Sequence, residues 1–134
     1  MNETQLQLVT NAQAKKLYHL GFIWEVNHYY PTVGDDWDII HDLHQTLNVN
    51  QLYENKIAAP TVALALKWFR DVKKIIGEIG TYKYENRDIY YYFYGISAPT
   101  FKKPVDENAS YKNYEAAESA LLDKLLTITE NQNL

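Results

Sequence analysis

The chain of 134 residues has no cysteine and only five glycines. Without cysteine there is no disulfide, no thiol nucleophile and no cysteine-bound zinc, which suits a reducing compartment. The glycines never form the phosphate-binding patterns GxGxxG or GxxxxGK[ST], and no GxSxG segment marks a nucleophilic serine. Because these local signatures of nucleotide-binding enzymes and hydrolases are missing, we expect a non-catalytic protein that uses no cofactor.

Long apolar stretches are also missing. No uninterrupted apolar run approaches the roughly 20 residues of a membrane-spanning helix. Residues 1–6 show no basic region followed by an apolar one, so no signal peptide is predicted. We therefore expect a cytoplasmic protein with no membrane partner.

Basic residues are outnumbered, at 13 against 17 acidic ones, and the net charge is −4. An acidic chain disfavours nucleic-acid binding, because phosphate contacts need a basic excess. With 46% hydrophobic residues, the composition predicts one folded domain over 1–134 with a frayed end at 130–134. Tyrosine is abundant, at 12 residues, which suits a covered sheet face or a recognition surface.

Terminal signals predict the first two helices. Thr10 and Gln13 match a capping box, which begins a helix over about 11–20. Pro60 disfavours helix before it and sets the start of a central helix over about 61–73. The front of this central helix is apolar on most sides, so other elements must cover it.

Asn113 is the predicted N-cap of a last helix, over about 113–128. The stripe predicted to be buried comprises Tyr114, Ala117, Ala120, Leu121, Leu122, Leu125 and Ile128. Glu118, as a charged residue, is expected to lie outside that stripe.

Alternating and aromatic segments predict the strands. A strand is expected over 22–30, and a hairpin over 75–84 and 89–96. Residues 31–56 and 97–112 are predicted to be irregular, with a short helix at most in the first segment. The resulting class is α+β, a small antiparallel sheet with an aromatic hairpin and helices packed mainly on one face.

Several segments of the sequence resemble a group of small uncharacterised proteins. These segments are AAPT at 58–61, ALKWFR at 65–70, NYEAAE at 113–118, and the N-terminal LVT at 8–10, KL at 16–17 and GF at 21–22. The group is encoded by Bacteroides-type gut bacteria and their phages or mobile elements. Phe69 and Asp71 stand where that group has Leu and Glu. The resemblance implies an accessory or host-interaction role rather than housekeeping metabolism.

The tyrosines of the hairpin are the first candidate site. Alternation places Tyr90, Tyr92 and Tyr94 on one face of the second strand. Tyr82 and Tyr84 are predicted to lie beside them across the hairpin. Since the helices cover one face of a small sheet, the other face exposes an aromatic patch unless residues 31–56 cover it. This patch predicts binding of a protein partner or self-association.

A basic and aromatic helix face is the second candidate site. Lys67, Arg70 and Lys74 share a face of the predicted central helix, and Trp68 lies next to them. Cations that flank aromatic rings are typical of single-stranded nucleic-acid binding. The alternative is a solvated helix face, and the acidic chain favours that alternative.

Histidine and aspartate residues between 28 and 44 are the third candidate. His41 and His44 would share a face if they lay on a helix, and with Asp38 they would offer ligands to a divalent metal. The alternative is an acidic loop with surface histidines. A metal-dependent enzyme is therefore kept as an alternative to the binding protein.

Overall fold

A computed structural model describes residues 6–35, 37–83, 90–103, 105–106 and 110–132. The helices are α1 (Asn11–His19), α2 (Val49–Leu52), α3 (Val62–Trp68) and α4 (Tyr114–Gln132), and a π-helical turn over Phe69–Lys73 continues α3. The strands are β1 (Val26–Pro31), β2 (His41–Leu47), β3 (Lys56–Ala58), β4 (Ile76–Lys83), β5 (Tyr90–Ser97) and β6 (Val105–Asp106). The fold class is α+β, as predicted.

The strands form two antiparallel sheets rather than the single sheet predicted. Their orders are β2-β1-β3 and β4-β5-β6. The segment 31–56, predicted to be irregular, supplies β2, α2 and β3, and these two strands flank β1 on both sides. The predicted strand over 22–30 begins later, at Val26. The Phe22 N–H donates to Leu17 O at 3.0 Å and its carbonyl accepts from Asn50 Nδ2 at 2.8 Å, so neither group is available to a strand. The predicted loop 97–112 contains the two-residue strand β6.

The predicted helix starts are confirmed in atomic detail. Thr10 Oγ1 accepts a hydrogen bond from the Gln13 N–H at 3.2 Å, and Gln13 Oε1 accepts one from the Thr10 N–H at 2.9 Å. Asn113 Oδ1 accepts from the Ala116 N–H at 2.8 Å. These side chains satisfy donors that the first helical turn leaves without a backbone partner.

The core lies where α1, α3 and α4 meet the two sheets. Its largest fully buried side chains include Trp68, Phe22, Phe69, Leu17, Ile96, Leu121 and Leu125. Glu118 is buried as well, so its predicted place outside the α4 stripe is wrong. Helical spacing explains the burial, since residue 118 lies four residues before Leu122 on the same face of the helix. In the described part of the chain, no helix is long and apolar enough to cross a membrane.

Candidate functional site

The hairpin separates the tyrosines that were predicted to form one patch. Tyr82 pairs with Tyr91 on the neighbouring strand, and the two rings stack with centroids 5.8 Å apart. Successive residues of β5 point to opposite faces, so Tyr82 lies on the face opposite to Tyr92 and Tyr94. Tyr84 lies outside the described residues.

The face with Tyr92 and Tyr94 is the inner one. Tyr94 is only 3% exposed and stacks on Tyr111, while Tyr92 meets Tyr114 of α4 edge-to-face at 5.9 Å. Tyr90, at the end of the strand, is 55% exposed. The predicted grouping is therefore corrected: α4 covers most of the face that was expected to be open.

The exposed aromatic rings of the hairpin lie on its outer face. Phe93 contacts Tyr82 at 6.1 Å between centroids and keeps 37% of its surface exposed. Ile76, at the start of β4, is exposed on the same face. These residues, with Tyr91, form the outer aromatic face of the second sheet.

The predicted metal-ligand set does not converge. His41 and His44 lie on strand β2 instead of a helix, so they do not share the expected helical face. His41 stacks on Tyr29 at 5.2 Å, and the exposed Asp38 lies before the strand. His44 has a left-handed backbone, and its N–H donates to Asp42 Oδ1 at 2.6 Å. Among the described residues, no three His, Asp or Glu side chains come together as a metal site.

The basic residues of the central helix are exposed, but their aromatic partner is not. Lys67, Arg70 and Lys74 are all solvent-exposed, whereas Trp68 is 1% exposed and belongs to the core. The ring of Trp68 is thus not available to stack on a nucleobase. The π-helical turn also changes the helical spacing, and Lys74 ends it with a left-handed backbone at φ 61°. The predicted basic and aromatic face is corrected to a basic face alone.

A groove lies between α3 and β4 and has a volume of about 370 Å³. α4 packs against both elements and forms the floor. Gly77 permits this arrangement, because a Cβ at that position would lie 2.8 Å from Leu121 Cδ1 of α4. The lining side chains come from all three elements: Ala63, Leu66, Lys67, Arg70, Ile76, Glu78, Tyr114 and Glu118. We call this cleft the α3–β4 groove.

One wall of the α3–β4 groove is an edge strand. β4 is eight residues long and pairs with β5 alone among the described strands. No backbone hydrogen bond from outside the sheet reaches residues 76–81 within the described ranges. Alternate N–H and C=O groups of residues 76–81 therefore point away from β5, and no other described strand pairs with them.

Glu118 is the most unusual side chain in the groove. It is 7% exposed, and no Lys or Arg nitrogen of the described residues lies within 4.0 Å of its carboxyl group. With the Gln7 amide oriented to satisfy both of its ends, Nε2 donates to Glu118 Oε1 at 3.3 Å and to Glu115 O at 3.0 Å. Burial raises the pKa of Glu118, and the negative charge of Glu115 raises it further.

Tyr114 lies at the same end of the groove. Burial raises the pKa of its hydroxyl group, and the carboxylates of Glu118 and Glu115 raise it further. Lys67 and Arg70 stand on the α3 wall, and the Arg70 Nε is 3.2 Å from Asp71 Oδ1. The groove is thus partly apolar, with the acidic Glu118 on its α4 floor and the basic Lys67 and Arg70 on its α3 wall.

Three comparisons, with family models, with curated proteins and with solved structures, each gave no match to this chain. The resemblance to small Bacteroides and phage proteins therefore stays a prediction. Lys67 and Arg70 were predicted from the sequence as candidate binding residues, whereas the edge position of β4 and the burial of Glu118 were not. The burial of Glu118 could have been predicted, because residue 118 lies on the same helical face as the apolar residues of the α4 stripe.

Proposed function

We propose that this chain is a non-catalytic binding module that takes an extended segment of a partner protein into the α3–β4 groove. The observation that carries the proposal is the edge of β4 over residues 76–81, which no other described strand pairs with and which forms one wall of a groove. An extended peptide adds to such an edge as a further strand, and main-chain hydrogen bonds provide affinity. Accessory function in a phage or mobile element remains the setting predicted from the resemblance.

The lining of the groove suits this mode of binding. Its volume of about 370 Å³ falls within the range of roughly 300–1,000 Å³ that is usual for ligand sites. Leu66 and Ile76 offer apolar contact to alternate side chains of a bound strand, and Lys67 and Arg70 offer charge on the opposite wall. Backbone pairing would thus supply affinity, while these side chains would supply specificity.

The outer aromatic face adds a second contact. A strand that pairs with β4 extends the sheet, so its outward side chains come to lie beside Tyr82 and the neighbouring Phe93. Cross-strand pairs of this type contribute roughly 0.2–1 kcal/mol each. By itself the outer aromatic face spans only two long strands, because β6 has two residues, whereas a stable interface buries roughly 800 Å² per partner. We therefore assign it a supporting role.

The test is selection of binding peptides from a random display library, followed by hydrogen exchange on the complex. Alternate amides of residues 76–81 should become protected, because strand addition engages every second N–H. Lys67→Glu with Arg70→Glu should weaken binding, whereas the matched pair Lys16→Glu with Lys124→Glu, exposed on α1 and α4, should not. Failure to select any peptide, or protection confined to other elements, would refute the proposal.

The same experiment separates the alternatives. A second copy of the chain paired through β4 gives a concentration-dependent dimer in light scattering and protects the same amides without peptide. Nucleic-acid binding through Lys67, Arg70 and Lys74 gives salt-sensitive binding to single-stranded oligonucleotides, since phosphate contacts release counterions.

A further inference from the structure

Glu118 has the environment of a binding residue rather than that of a structural ion pair. The residue is 7% exposed and lines the α3–β4 groove, and its carboxyl group meets only the Gln7 amide among the described polar groups. A buried carboxylate without a cation loses its hydration and gains little in return. A ligand that brought a positive charge into the groove would supply the missing partner.

We propose that Glu118 receives a primary ammonium group of the ligand, while Lys67 and Arg70 on the facing wall receive a carboxylate. The ligand class is an extended peptide with an ammonium group at the floor of the groove and an acidic group towards α3. This inference rests on the proposed function, since it names the chemistry of the segment that the groove takes.

Two features favour an ammonium group over a larger or neutral group. An ammonium is a small point charge with three donors, so it can serve both the Glu118 carboxylate and neighbouring acceptors in a narrow floor. The Tyr114 ring also lines the groove, and aromatic rings attract cations.

The affinity for a cation should depend on pH, because Glu118 titrates among several charged and titratable groups. Glu115 and Tyr114 lie on its own helix, Lys67 and Arg70 on the π-turn side of α3, and Glu78 on β4. Only the carboxylate form of Glu118 attracts a cation. If the Glu118 carboxyl group is protonated in the free protein, it must lose that proton when the ligand binds. Affinity should therefore rise with pH, and binding should release a proton.

The probes are two pairs of small blocked compounds. N-acetyl-lysine methylamide is compared with N-acetyl-norleucine methylamide, and glycinamide is compared with N-acetylglycinamide. The first pair tests a lysine side chain and the second tests a free chain terminus. NMR titration should show shifts at residues 76–78 and 114–118 for at least one amine and at most weak shifts for its uncharged counterpart.

The matched variants are Glu118→Gln and Glu54→Gln. We expect Glu118→Gln to weaken amine binding by about tenfold or more, because it removes a buried negative charge at the proposed position of the ligand cation. Glu54 is exposed and does not line the groove, so Glu54→Gln should change binding by less than about twofold. Melting temperatures of both variants confirm that they fold.

Equal binding of the charged and uncharged compounds, unchanged affinity in Glu118→Gln, or no binding of either amine would overturn the inference. Peptides selected on the groove give an independent result. If such peptides add to β4 but keep their affinity after acetylation of their amines, the inference is wrong and the proposed function stands. If no peptide engages β4, the proposed function itself fails.

Discussion

The ring of Phe93 lies directly over Gly80 on the neighbouring strand, in the space that a side chain at position 80 would occupy. A Cβ at that position would stand 2.8 Å from Phe93 Cε1. The absence of a side chain at position 80 thus lets one strand of the hairpin carry a ring that covers the other. This contact shapes the outer aromatic face beside the edge of β4.

Gly80→Ala should lower the free energy of unfolding by about 1 kcal/mol, because the Phe93 ring must rotate away from the strand. In a Phe93→Ala background the same change should be neutral or stabilising, since alanine suits a strand interior better than glycine by roughly 0.5–1 kcal/mol. A double-mutant cycle measured by urea unfolding gives the coupling between the two positions. Equal effects of Gly80→Ala in both backgrounds would contradict the contact.

Tyr94 and Tyr90 of β5 test how far the inner face is covered along the strand. Tyr94→Ser should cost about 3–5 kcal/mol, because it empties a buried aromatic position. Tyr90→Ser, on the same strand and the same face, should cost less than about 1 kcal/mol, since that ring is largely exposed. Chemical denaturation of both variants supplies the comparison. Similar losses in the two variants would contradict the difference in burial between Tyr94 and Tyr90.

Gln13 connects the first helix to the last. Its Nε2 donates to Asp123 Oδ1 at 2.9 Å and to Ser119 Oγ at 3.1 Å, while its Oε1 serves the capping box. Gln13→Ala should therefore cost about 2–3 kcal/mol, which exceeds the roughly 1 kcal/mol of a cap alone. Thr10→Ala, which loses only the cap, is the control in the same thermal unfolding assay. An equal loss in both variants would show that the contact with α4 adds nothing to stability.

Glu118 makes a prediction about pH. The pKa of Glu118 is raised in the folded protein. Between the ordinary pKa and the raised one, the folded state therefore keeps a proton that the unfolded state has lost. Stability should therefore fall as the pH rises from the ordinary value of 4.5 through the raised one, and the penalty should persist above it. Glu118→Gln should remove this slope and stabilise the chain at neutral pH, with little gain in acid.

The measurement for Glu118 is the free energy of unfolding across that pH range in wild type and variant. Glu54→Gln serves as the control, because Glu54 is exposed and does not line the groove. A variant that follows the wild-type pH curve would show that Glu118 titrates normally.

Local signals in the sequence determined the helices and the hairpin. The Thr10 and Gln13 box, the Asn113 cap and the alternation within β4 and β5 are short-range patterns, and each sets its element through contacts a few residues away. They were therefore predictable, and the α+β class followed from their order.

Tertiary contacts decided the rest. The strands β2 and β3 form by pairing with the two edges of β1. Residues 31–56 lack the alternation of apolar and polar residues that would have predicted this pairing. Which face of the hairpin is open depends on where α4 packs, and that put Tyr94 inside and Phe93 outside. Glu118 lines a groove because α3 and β4, which both pack on α4, leave a space between them. Residue spacing along a single element carries no record of what packs against it, so the candidate site became visible only in the folded chain.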